Sequence, residues 1–522
     1  MFGMKSSENI LKKIPSLAKE YEEYVKDCRR SIHRFAELGG KEEKTSAFIE
    51  NEAQKLGLKT EKVSATGLLV TLDTNKQGIG VALRADMDAL PVKENENNLR
   101  LKRSVVSDDQ NTCHACGHDA HSAMLLGAMQ ILTRLKDSLS GNIYFCFEEG
   151  EEVGSGWDGM IEALAAKKVN TVFALHVYAN LDSGFLSLEE GPRMAGTINV
   201  NATFKGKGGH GSRPDLSVNP LFAACSAVSS LPIAFVNQLD CEKTITCGIT
   251  SISGSNTNNI IPDESNVLGT LRFFDIEEGK KAVRVLHNVF NHAAAMNRCT
   301  VDYFMSDIVL QPVINDKDAV KLAKEAIKDN LINAKLSEVD KWYASESFSQ
   351  YLLRYKGVLG FLGIRNPEKG CGAEHHNECF DVDEDVLING VIAHASYAIA
   401  ALFDKDVANW QSREVEDYEY EEEEIVQVPV KNETIVETTE TKETKPAVRP
   451  NAKYNLDTKI GVLLKSEAAK QAVASTISGL VDHPLIGFAK GMSIRKAAKN
   501  LPSVLTPEVL AKLEEILSYV DD

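Results

Sequence analysis

Apolar residues recur at helical spacing over the first 57 residues. Ile49, Ala53 and Leu56 are separated by four and three residues, which predicts one face of a helix that Gly57 ends. Short apolar runs then alternate with helical stretches. We predict strands at 67–72, 80–84, 142–147 and 171–176, and helices at 120–135 and 158–167. Residues 75–78 look like a hairpin break between the first two strands. This alternation predicts an α/β fold around a largely buried sheet.

The pattern changes near residue 191. Residues 198–205 alternate apolar and polar side chains, as in a strand with one buried face. A helix, two strands, a helix and a strand are predicted next, at 219–231, 243–253, 265–274, 277–295 and 299–305. This β-α-β-β-α-β order is ferredoxin-like. The α/β pattern resumes near 316 and ends in a helix at 383–403. We therefore predict a discontinuous domain at 1–190 and 306–404, with a second domain inserted at 191–305.

The residue pattern changes again at the end of the chain. Residues 405–450 are interpreted as an acidic, low-complexity linker, since 413–424 alone holds eight acids against one arginine. Residues 451–522 recover apolar periodicity and predict a small helical C-terminal module.

Composition excludes several classes of protein. The 522 residues are 43% hydrophobic, which is enough for a core and speaks against a disordered chain. The net charge of −17 makes nucleic acid and anionic membranes poor partners. We find no apolar run of about 18 residues and no signal-peptide pattern at the N-terminus. Ten scattered cysteines are too few for a disulfide scaffold, so we expect a reduced, cytoplasmic protein.

The densest group of potential metal ligands is the segment 113–121, where five of nine residues are Cys or His. Its histidines at 114, 118 and 121 have helical spacing, so a helix face is one interpretation. We favour a loop up to residue 118, because Gly117 disfavours a helix and Asp119 suits the N-cap of a helix from Ala120. In a loop, Cys116 and His118 can converge on one ion at about 2.0–2.3 Å. The alternative is a buried cysteine among hydrogen-bonding histidines.

Acidic residues follow two of the predicted strands. Glu151 and Glu152 lie in an acidic run after the strand at 142–147, where α/β active sites form, and can divide the roles of general base and metal ligand. A solvated acidic loop is the alternative. Asp86 and Asp88 follow the strand at 80–84 and can orient a ligand histidine, or can simply be turn residues.

Other candidate site residues are isolated in the sequence. His176 ends a predicted strand, level with the glutamates. His375 and His376 are adjacent in a loop, where one of them can be a ligand. The glycine-rich segment 206–212 lacks P-loop spacing and is either a flexible connection or a loop that presents His210. Two more polar candidates lie in the inserted domain, Asn259 and Arg272; Arg272 can bind a carboxylate or form a surface salt bridge.

In order, these segments resemble the aminoacylase and hippurate-hydrolase branch of the dinuclear-metal carboxypeptidase family, over residues 20–404. That branch includes plant auxin-conjugate hydrolases and N-acetyl-diaminopimelate deacetylases. The resemblance rests on these motifs: His33-Arg-x-x-Glu37-Leu with Glu42 and Thr45, Arg84-Ala-Asp-Met-Asp-Ala-Leu-Pro91, His114-Ala-Cys-Gly-His-Asp-x-His121, Glu151-Glu152, His176, Gly206-Lys-Gly-Gly-His210, Asn259-x-Ile-Pro-Asp263 and His376 before Phe380-Asp381.

The resemblance implies a zinc-exopeptidase-like catalytic domain with an inserted ferredoxin-like lid and dimerisation domain. It implies two divalent metal ions held by Cys116, His118, Glu152, His176 and His376, with Glu151 as the general base. It implies substrate contacts from His210, Asn259 and Arg272, with His210 reaching the partner subunit's site in a homodimer. A cysteine thiolate favours zinc, and relatives also use manganese, cobalt or nickel.

The sequence departs from the family pattern at five places. Ala36 replaces proline, Cys113 replaces methionine, Glu148-Glu149-Gly150 replaces Gln-Pro-Ala, Ser347 replaces aspartate and His375 replaces an apolar residue. None of these changes removes an implied ligand, but they bear on the preferred substrate.

We predict a metal-dependent amidohydrolase that releases an amino acid from an N-acyl-amino acid or a small peptide-like conjugate. A dipeptidase or aminopeptidase on the same scaffold is the alternative within enzymes. A non-catalytic binding protein, or a scaffold acting through the linker and tail, is the alternative outside them.

Overall fold

The computed structural model describes residues 2–304, 307–415, 452–477, 481, 490–500 and 505–520. The chain forms two compact units. Unit 1 is Met1–Ala195 with Leu310–Val415, and unit 2 is Gly196–Val309 with Glu416–Asp522. Residues 416–450 of the predicted linker at 405–450, and parts of the predicted C-terminal module, lie outside the described residues.

The secondary-structure elements have these bounds. The strands are β1 (Lys59–Lys62), β2 (Leu68–Asp73), β3 (Gly80–Asp86), β4 (Asn142–Glu148), β5 (Thr171–Asp182), β6 (Phe185–Ser187), β7 (Gly191–Met194), β8 (Gly196–Lys205), β9 (Gly209–His210), β10 (Ile245–Ser253), β11 (Ile260–Ile261), β12 (Glu264–Phe273), β13 (Thr300–Tyr303), β14 (Ile308–Leu310), β15 (Val313–Asn315), β16 (Lys335–Leu336) and β17 (Lys356–Arg365). The helices are α1 (Phe2–Leu11), α2 (Ile14–Glu20), α3 (Glu22–Phe35), α4 (Glu43–Lys55), α5 (His118–Arg134), α6 (Trp157–Ala165), α7 (Pro220–Gln238), α8 (Ile276–Met296), α9 (Lys317–Ile327), α10 (Ser349–Arg354), α11 (Leu387–Phe403), α12 (Ile460–Lys465), α13 (Glu467–Thr476), α14 (Ile494–Asn500) and α15 (Pro507–Ser518).

Unit 1 is a sheet between two helical layers. Its eight strands run in the order β1-β2-β4-β3-β5-β17-β6-β16, and β4, β3, β5 and β17 are mutually parallel neighbours. Alternate residues of β4 point to opposite faces. Phe145 packs in the core shared with α3, α5 and α11, whereas Tyr144 packs on the other face with residues of α6 and α10. The predicted α/β fold with a buried sheet is confirmed.

The predicted hairpin at residues 75–78 is wrong. β2 and β3 flank β4, which pairs antiparallel with β2 and parallel with β3. The physical reason is that β4 is buried along nearly its whole length. An apolar strand of this kind is most stable when its backbone is paired on both edges.

The second large sheet has five strands: four run antiparallel in the order β10-β12-β8-β13, and β14 also pairs with β8. One face packs on α7 and α8, where Phe204, Phe273 and Phe290 are fully buried. The described tail helices α12 to α15 surround a separate small core that includes Leu463 and Leu513. Phe304, just after β13, packs against that tail core.

Two helical segments are long and apolar enough to cross a membrane, by length and composition alone. They are Pro220–Gln238, whose most apolar stretch is 28% buried, and Glu384–Phe403, whose most apolar stretch is 83% buried. No such segment was predicted from the sequence. The second contains α11, whose residues Val391 and Ile392 are in the core of unit 1. A buried core helix meets the same criteria, so this feature alone is weak support for a membrane span.

Candidate metal centre

Polar side chains collect where the parallel strands of unit 1 end. Asp86 is the last residue of β3, and Glu151 and Glu152 lie in the turn that follows β4. His176 lies on β5, and His118 is the first residue of α5. Carboxyl ends of neighbouring parallel strands meet at one edge of a sheet, which is why residues far apart in sequence converge here.

The six residues predicted as metal ligands and general base are brought together. These residues form three groups, and within each group the potential ligand atoms lie within 4.8 Å of one another. The groups are Cys116 with His118 and His176, Cys116 with Glu152 and His376, and His118 with Glu151 and Glu152. Cys116 Sγ lies 3.6 Å from His176 Nε2. Glu152 Oε1 lies 3.3 Å from His376 Nε2 and 3.9 Å from His118 Nε2.

These side chains fit a divalent metal centre. His118 is 1% exposed, and its Nε2 has no hydrogen-bond partner in the described part of the chain. That nitrogen instead faces Glu152 Oε1 at 3.9 Å and Asp86 Oδ2 at 3.8 Å. A buried polar atom without a partner is costly unless something else binds it. A thiol, imidazoles and carboxylates are the donor set of zinc and similar ions.

Asp88 orients two of these groups. Its Oδ1 lies 3.0 Å from His118 Nδ1, and its Oδ2 accepts a hydrogen bond from Glu152 N at 3.0 Å. Holding Nδ1 directs His118 Nε2 toward the centre of the site.

Asp86 contacts His121, a histidine with no predicted role. Asp86 Oδ1 lies 2.6 Å from His121 Nδ1, and His121 Nε2 accepts from Val177 N at 2.9 Å. The second contact places the His121 proton on Nδ1, facing Asp86. Burial alone would raise the pKa of Asp86, but the nearby His118, Arg84 and His121 lower it well below its usual range.

Glu151 is a buried carboxyl group among other carboxylates. Ser347 N donates to its Oε1 at 2.9 Å. Burial first, and then the charges of Glu346 and Glu152, raise the pKa of Glu151 well above its usual range. A carboxyl group with a raised pKa can accept and release a proton near neutral pH.

Two departures from the family pattern contact each other. Ser347 Oγ donates to Glu148 Oε1 at 2.5 Å, and Arg84 Nη2 donates to the same oxygen at 2.9 Å. Tyr351 OH also hydrogen-bonds Glu148. Arg84 is 2% exposed and also pairs with Glu346 at 3.0 Å. This cluster was not predicted from the sequence, although the paired departures at 148 and 347 were a signal for it.

Both adjacent histidines lie near Cys116 or Glu152, but of the two only His376 belongs to a group of potential metal ligands in the described part of the chain. His375 Nδ1 lies 3.8 Å from Cys116 Sγ, and its Nε2 accepts from Ala179 N at 3.2 Å. Burial lowers the pKa of His375 to about 3. His376 has a left-handed backbone, with φ of +64°, which is uncommon for a residue with a side chain. Trp342 packs against His375 at 4.6 Å between ring centroids, so an aromatic wall borders the site.

The predicted N-cap at Asp119 is wrong. α5 begins at His118 with Gly117 at the N-cap, and no side chain caps it. The Asp119 carboxylate is buried and binds other side chains instead of capping the helix. Its Oδ2 accepts from Arg29 Nε at 2.7 Å and lies 2.8 Å from His33 Nδ1. His33 Nε2 in turn lies 2.7 Å from Glu94 Oε1. His33, Glu94 and Cys113 have the spacing of a metal site, but these contacts occupy both His33 nitrogens.

The predicted substrate-binding residues lie in unit 2. β9 and β11 pair His210 with Ile260, so His210 and Asn259 are neighbours, and Gly211 N donates to Asn259 O at 2.8 Å. Ser212 N donates to His210 Nδ1 at 3.2 Å. Arg272 lies far along β12 from the end nearest β11, eight residues from Glu264, or about 26 Å of extended strand. Within one chain, Arg272 therefore lies far from His210 and Asn259.

The chain is similar to known proteins over most of its length. The sequence model of Peptidase family M20/M25/M40 matches residues 82–400. Thermostable carboxypeptidase 1 of Saccharolobus solfataricus is 34% identical over 396 residues, which cover 75% of this chain and 98% of that protein. An IAA-amino acid hydrolase of Arabidopsis thaliana (ILR1-like 4) is 32% identical and is covered to 91%, against 76% of this chain. A crystal structure of a dinuclear metal-binding peptidase of the M20 family from Bacillus subtilis is 25% identical, with a TM-score of 0.63 and coverage of 74% of this chain and 99% of that one.

Proposed function

This chain belongs to Peptidase family M20/M25/M40, and on that premise we propose that it hydrolyses the amide bond of N-acyl-amino acids. It is a hydrolase of the branch that the motifs indicated, since its relatives include an IAA-amino acid hydrolase and carboxypeptidases. The N-acyl-amino acid substrate is our proposal, and the name of the Arabidopsis relative supports it.

The convergence of Glu151 with His118 and Glu152 carries the proposal. We assign two divalent ions to Cys116, His118, Glu152, His176 and His376, with zinc as the first choice because of the cysteine thiolate. When bound, such ions polarise the amide carbonyl and acidify a water molecule. Glu151 takes the proton from that water at its carboxylate and delivers it to the leaving amine.

The lid role of unit 2 and its substrate contacts are part of the same proposal. We assign the substrate carboxylate to Arg272 and the reacting amide to His210 and Asn259. Because one chain separates Arg272 from the other two, a site that uses all three draws them from two subunits. Exposed apolar residues of α7 support a homodimer through this domain, since Phe222, Ile233 and Val236 are 65%, 67% and 82% exposed.

A substrate panel tests the proposal. Metal-stripped protein, restored with zinc, manganese, cobalt or nickel, is assayed on N-acetyl-, N-benzoyl- and indoleacetyl-amino acids. A Glu151→Gln variant is the matched control, since it keeps the shape of the side chain and removes the base. We expect metal-dependent cleavage that the variant loses while it still binds metal. Metal binding without any cleavage would contradict the proposal.

A peptidase is the second candidate, and the name of the Saccharolobus relative favours it. Dipeptides with a free amine separate the two functions. N-acyl substrates cut faster than matching dipeptides support the amidohydrolase, and the reverse order supports the peptidase. Binding of both without turnover would indicate a non-catalytic protein.

A further inference from the structure

Two buried carboxyl groups meet at one hydroxyl beside the loop that carries Glu151. Thr66 Oγ1 lies 2.6 Å from Glu42 Oε2 and 2.6 Å from Glu149 Oε2. Glu42, Thr66 and Glu149 are 0%, 4% and 5% exposed. A hydroxyl carries one proton, and each oxygen–oxygen contact of this length needs one. The second proton must therefore come from one of the two carboxyl groups.

The other contacts identify which carboxyl group is protonated. Glu149 Oε2 also accepts from Thr66 N, and from Gly67 N at 2.9 Å. Three donors on one oxygen are typical of an ionised carboxylate. Within the described part of the chain, the one hydrogen-bond partner of Glu42 Oε2 is Thr66 Oγ1. The consistent order of donors is that Glu42 donates to Thr66, and Thr66 donates to the Glu149 carboxylate.

The other oxygen of Glu42 reaches the catalytic loop. Glu42 Oε1 accepts from Gly150 N at 2.7 Å and from Gly40 N at 3.0 Å. Gly150 immediately precedes Glu151 and has a left-handed backbone with φ of +57°. A fixed Gly150 amide therefore fixes the start of the turn from which Glu151 projects.

We propose that Glu42 is a neutral carboxylic acid in the folded enzyme and is the positioning residue for the Glu151 loop. It acts through Gly150 and Thr66 and does not touch substrate. The effect on hydrolysis rests on the proposed role of Glu151, whereas the protonation of Glu42 stands on the contacts above.

The surroundings of Glu42 favour the neutral form. The charged groups that face it are Asp88, on the segment after β3, and Glu149, on the loop after β4. Both are carboxylates, so an ionised Glu42 would add a third negative charge in a buried place. Burial, and after it the charge of Asp88, raise the pKa of Glu42 from 4.5 to about 7.

Glu42→Gln is the decisive variant. The Gln amide nitrogen can donate to Thr66 and its oxygen can accept from Gly150, so the variant imitates the neutral acid without a proton to lose. We expect near-normal kcat, and a ratio of E42Q to wild-type activity that rises as the pH passes about 7. Glu42→Ala leaves the loop unanchored and should lower kcat about 100-fold, the cost of a misplaced catalytic group. E42Q as inactive as E42A, or a ratio independent of pH, would overturn the proposal.

A stability measurement tests the protonation without any substrate. The pKa of Glu42 is raised in the folded protein, so its stabilisation is complete below 4.5 and is lost as the pH rises to about 7. The thermal midpoint of E42Q minus that of wild type should therefore increase over this range and then level off. Glu43→Gln, the same change at the exposed neighbouring residue, is the control and should show no such trend. A flat difference for E42Q contradicts the neutral acid.

Thr66 variants test the hydroxyl bridge. Thr66→Ser keeps the hydroxyl and should retain kcat, whereas Thr66→Val keeps the shape and should lose it. Equal activity of the two variants would contradict the donor order. If no N-acyl-amino acid is hydrolysed while the stability trend appears, the proposed function fails and the inference on Glu42 stands. Hydrolysis with a flat stability difference supports the proposed function and overturns the inference on Glu42.

Discussion

Arg84 is a buried guanidinium enclosed by acidic side chains. It contacts Asp86 at 2.6 Å, Glu148 at 2.9 Å and Glu346 at 3.0 Å. A buried charge is tolerated only when paired, so each carboxylate here supports the others through Arg84. Relative to the family pattern, one carboxylate stands at 148 and not at 347. Ser347 and Glu148 are joined by a hydrogen bond, so the carboxylate has changed places between two residues in direct contact.

This exchange predicts that substitutions at positions 148 and 347 compensate for each other in stability. Glu148→Gln alone removes a charge from Arg84 and should destabilise the protein by about 3–5 kcal/mol. Ser347→Asp alone adds a buried negative charge and should also destabilise it. The double variant E148Q/S347D restores the charge count and should recover most of the loss. Urea unfolding of the four proteins measures the coupling, and strictly additive effects would show that the positions are independent.

At the scale of elements, one buried ion pair connects α3 to α5, the helix that begins at His118. Arg29 and Asp119 are 1% and 0% exposed and lie 2.7 Å apart. Burial would raise the pKa of Asp119, but Arg29 and His33 overcome it and lower the pKa below its usual range. The pair therefore fixes α5, and with it His118, to the helical layer.

Asp119→Asn should destabilise unit 1 strongly at neutral pH. Removing one partner of a buried pair costs about 3–5 kcal/mol. The lowered pKa of Asp119 means that its stabilisation is present above about 3.8 and is lost as the pH falls below it. The variant and wild type should then converge in urea midpoint in acid. Glu20→Gln, which breaks the exposed pair with Arg134, is the control and should change the urea midpoint far less.

Gly117 sets the start of α5 and allows a prediction on metal binding. Its φ is +97°, and a Cβ there would lie 2.3 Å from Val177 Cγ2. Gly117→Ala should push the segment between Cys116 and His118 away from β5 and weaken metal binding. Gly57→Ala is the matched control, because φ is +67° but no atom lies within 4 Å of the added carbon. Calorimetric titration with zinc compares the two variants. Equal zinc affinities would show that the clash with Val177 does not weaken metal binding.

Local patterns predicted the elements, and long-range contacts explain the errors. β3, β4 and α5 were found because apolar runs and helical spacing are properties of neighbouring residues. The position of β4 between β2 and β3 was missed because pairing depends on the whole sheet. Asp119 was misplaced because its partner Arg29 is distant in sequence. The ligand candidates stand in short motifs, whereas the contact of Glu42 with Thr66 leaves no local signal.

At the scale of the whole molecule, unit 1 includes residues beyond the last helix of its core. Val407 is fully buried, and Trp410 O accepts from Asn170 Nδ2 at 2.9 Å. Arg413 N donates to Arg354 O at 2.7 Å. These contacts belong to unit 1, which therefore extends beyond the predicted domain boundary at 404. The match to the family model ends at residue 400, before the tail.

Two truncations separate the tail from catalysis. A chain ending at Val415 keeps every described residue of unit 1, and we expect its metal-dependent hydrolysis to equal that of the full chain. A chain ending at Asp404 also loses Val407 and Trp410, and should be less stable by about 2–4 kcal/mol for the lost burial. Hydrolysis rates and thermal unfolding of both proteins check this. If the chain ending at Val415 binds metal but does not hydrolyse substrate, the tail takes part in the reaction, and its contact with Phe304 in unit 2 is the place to look for the reason.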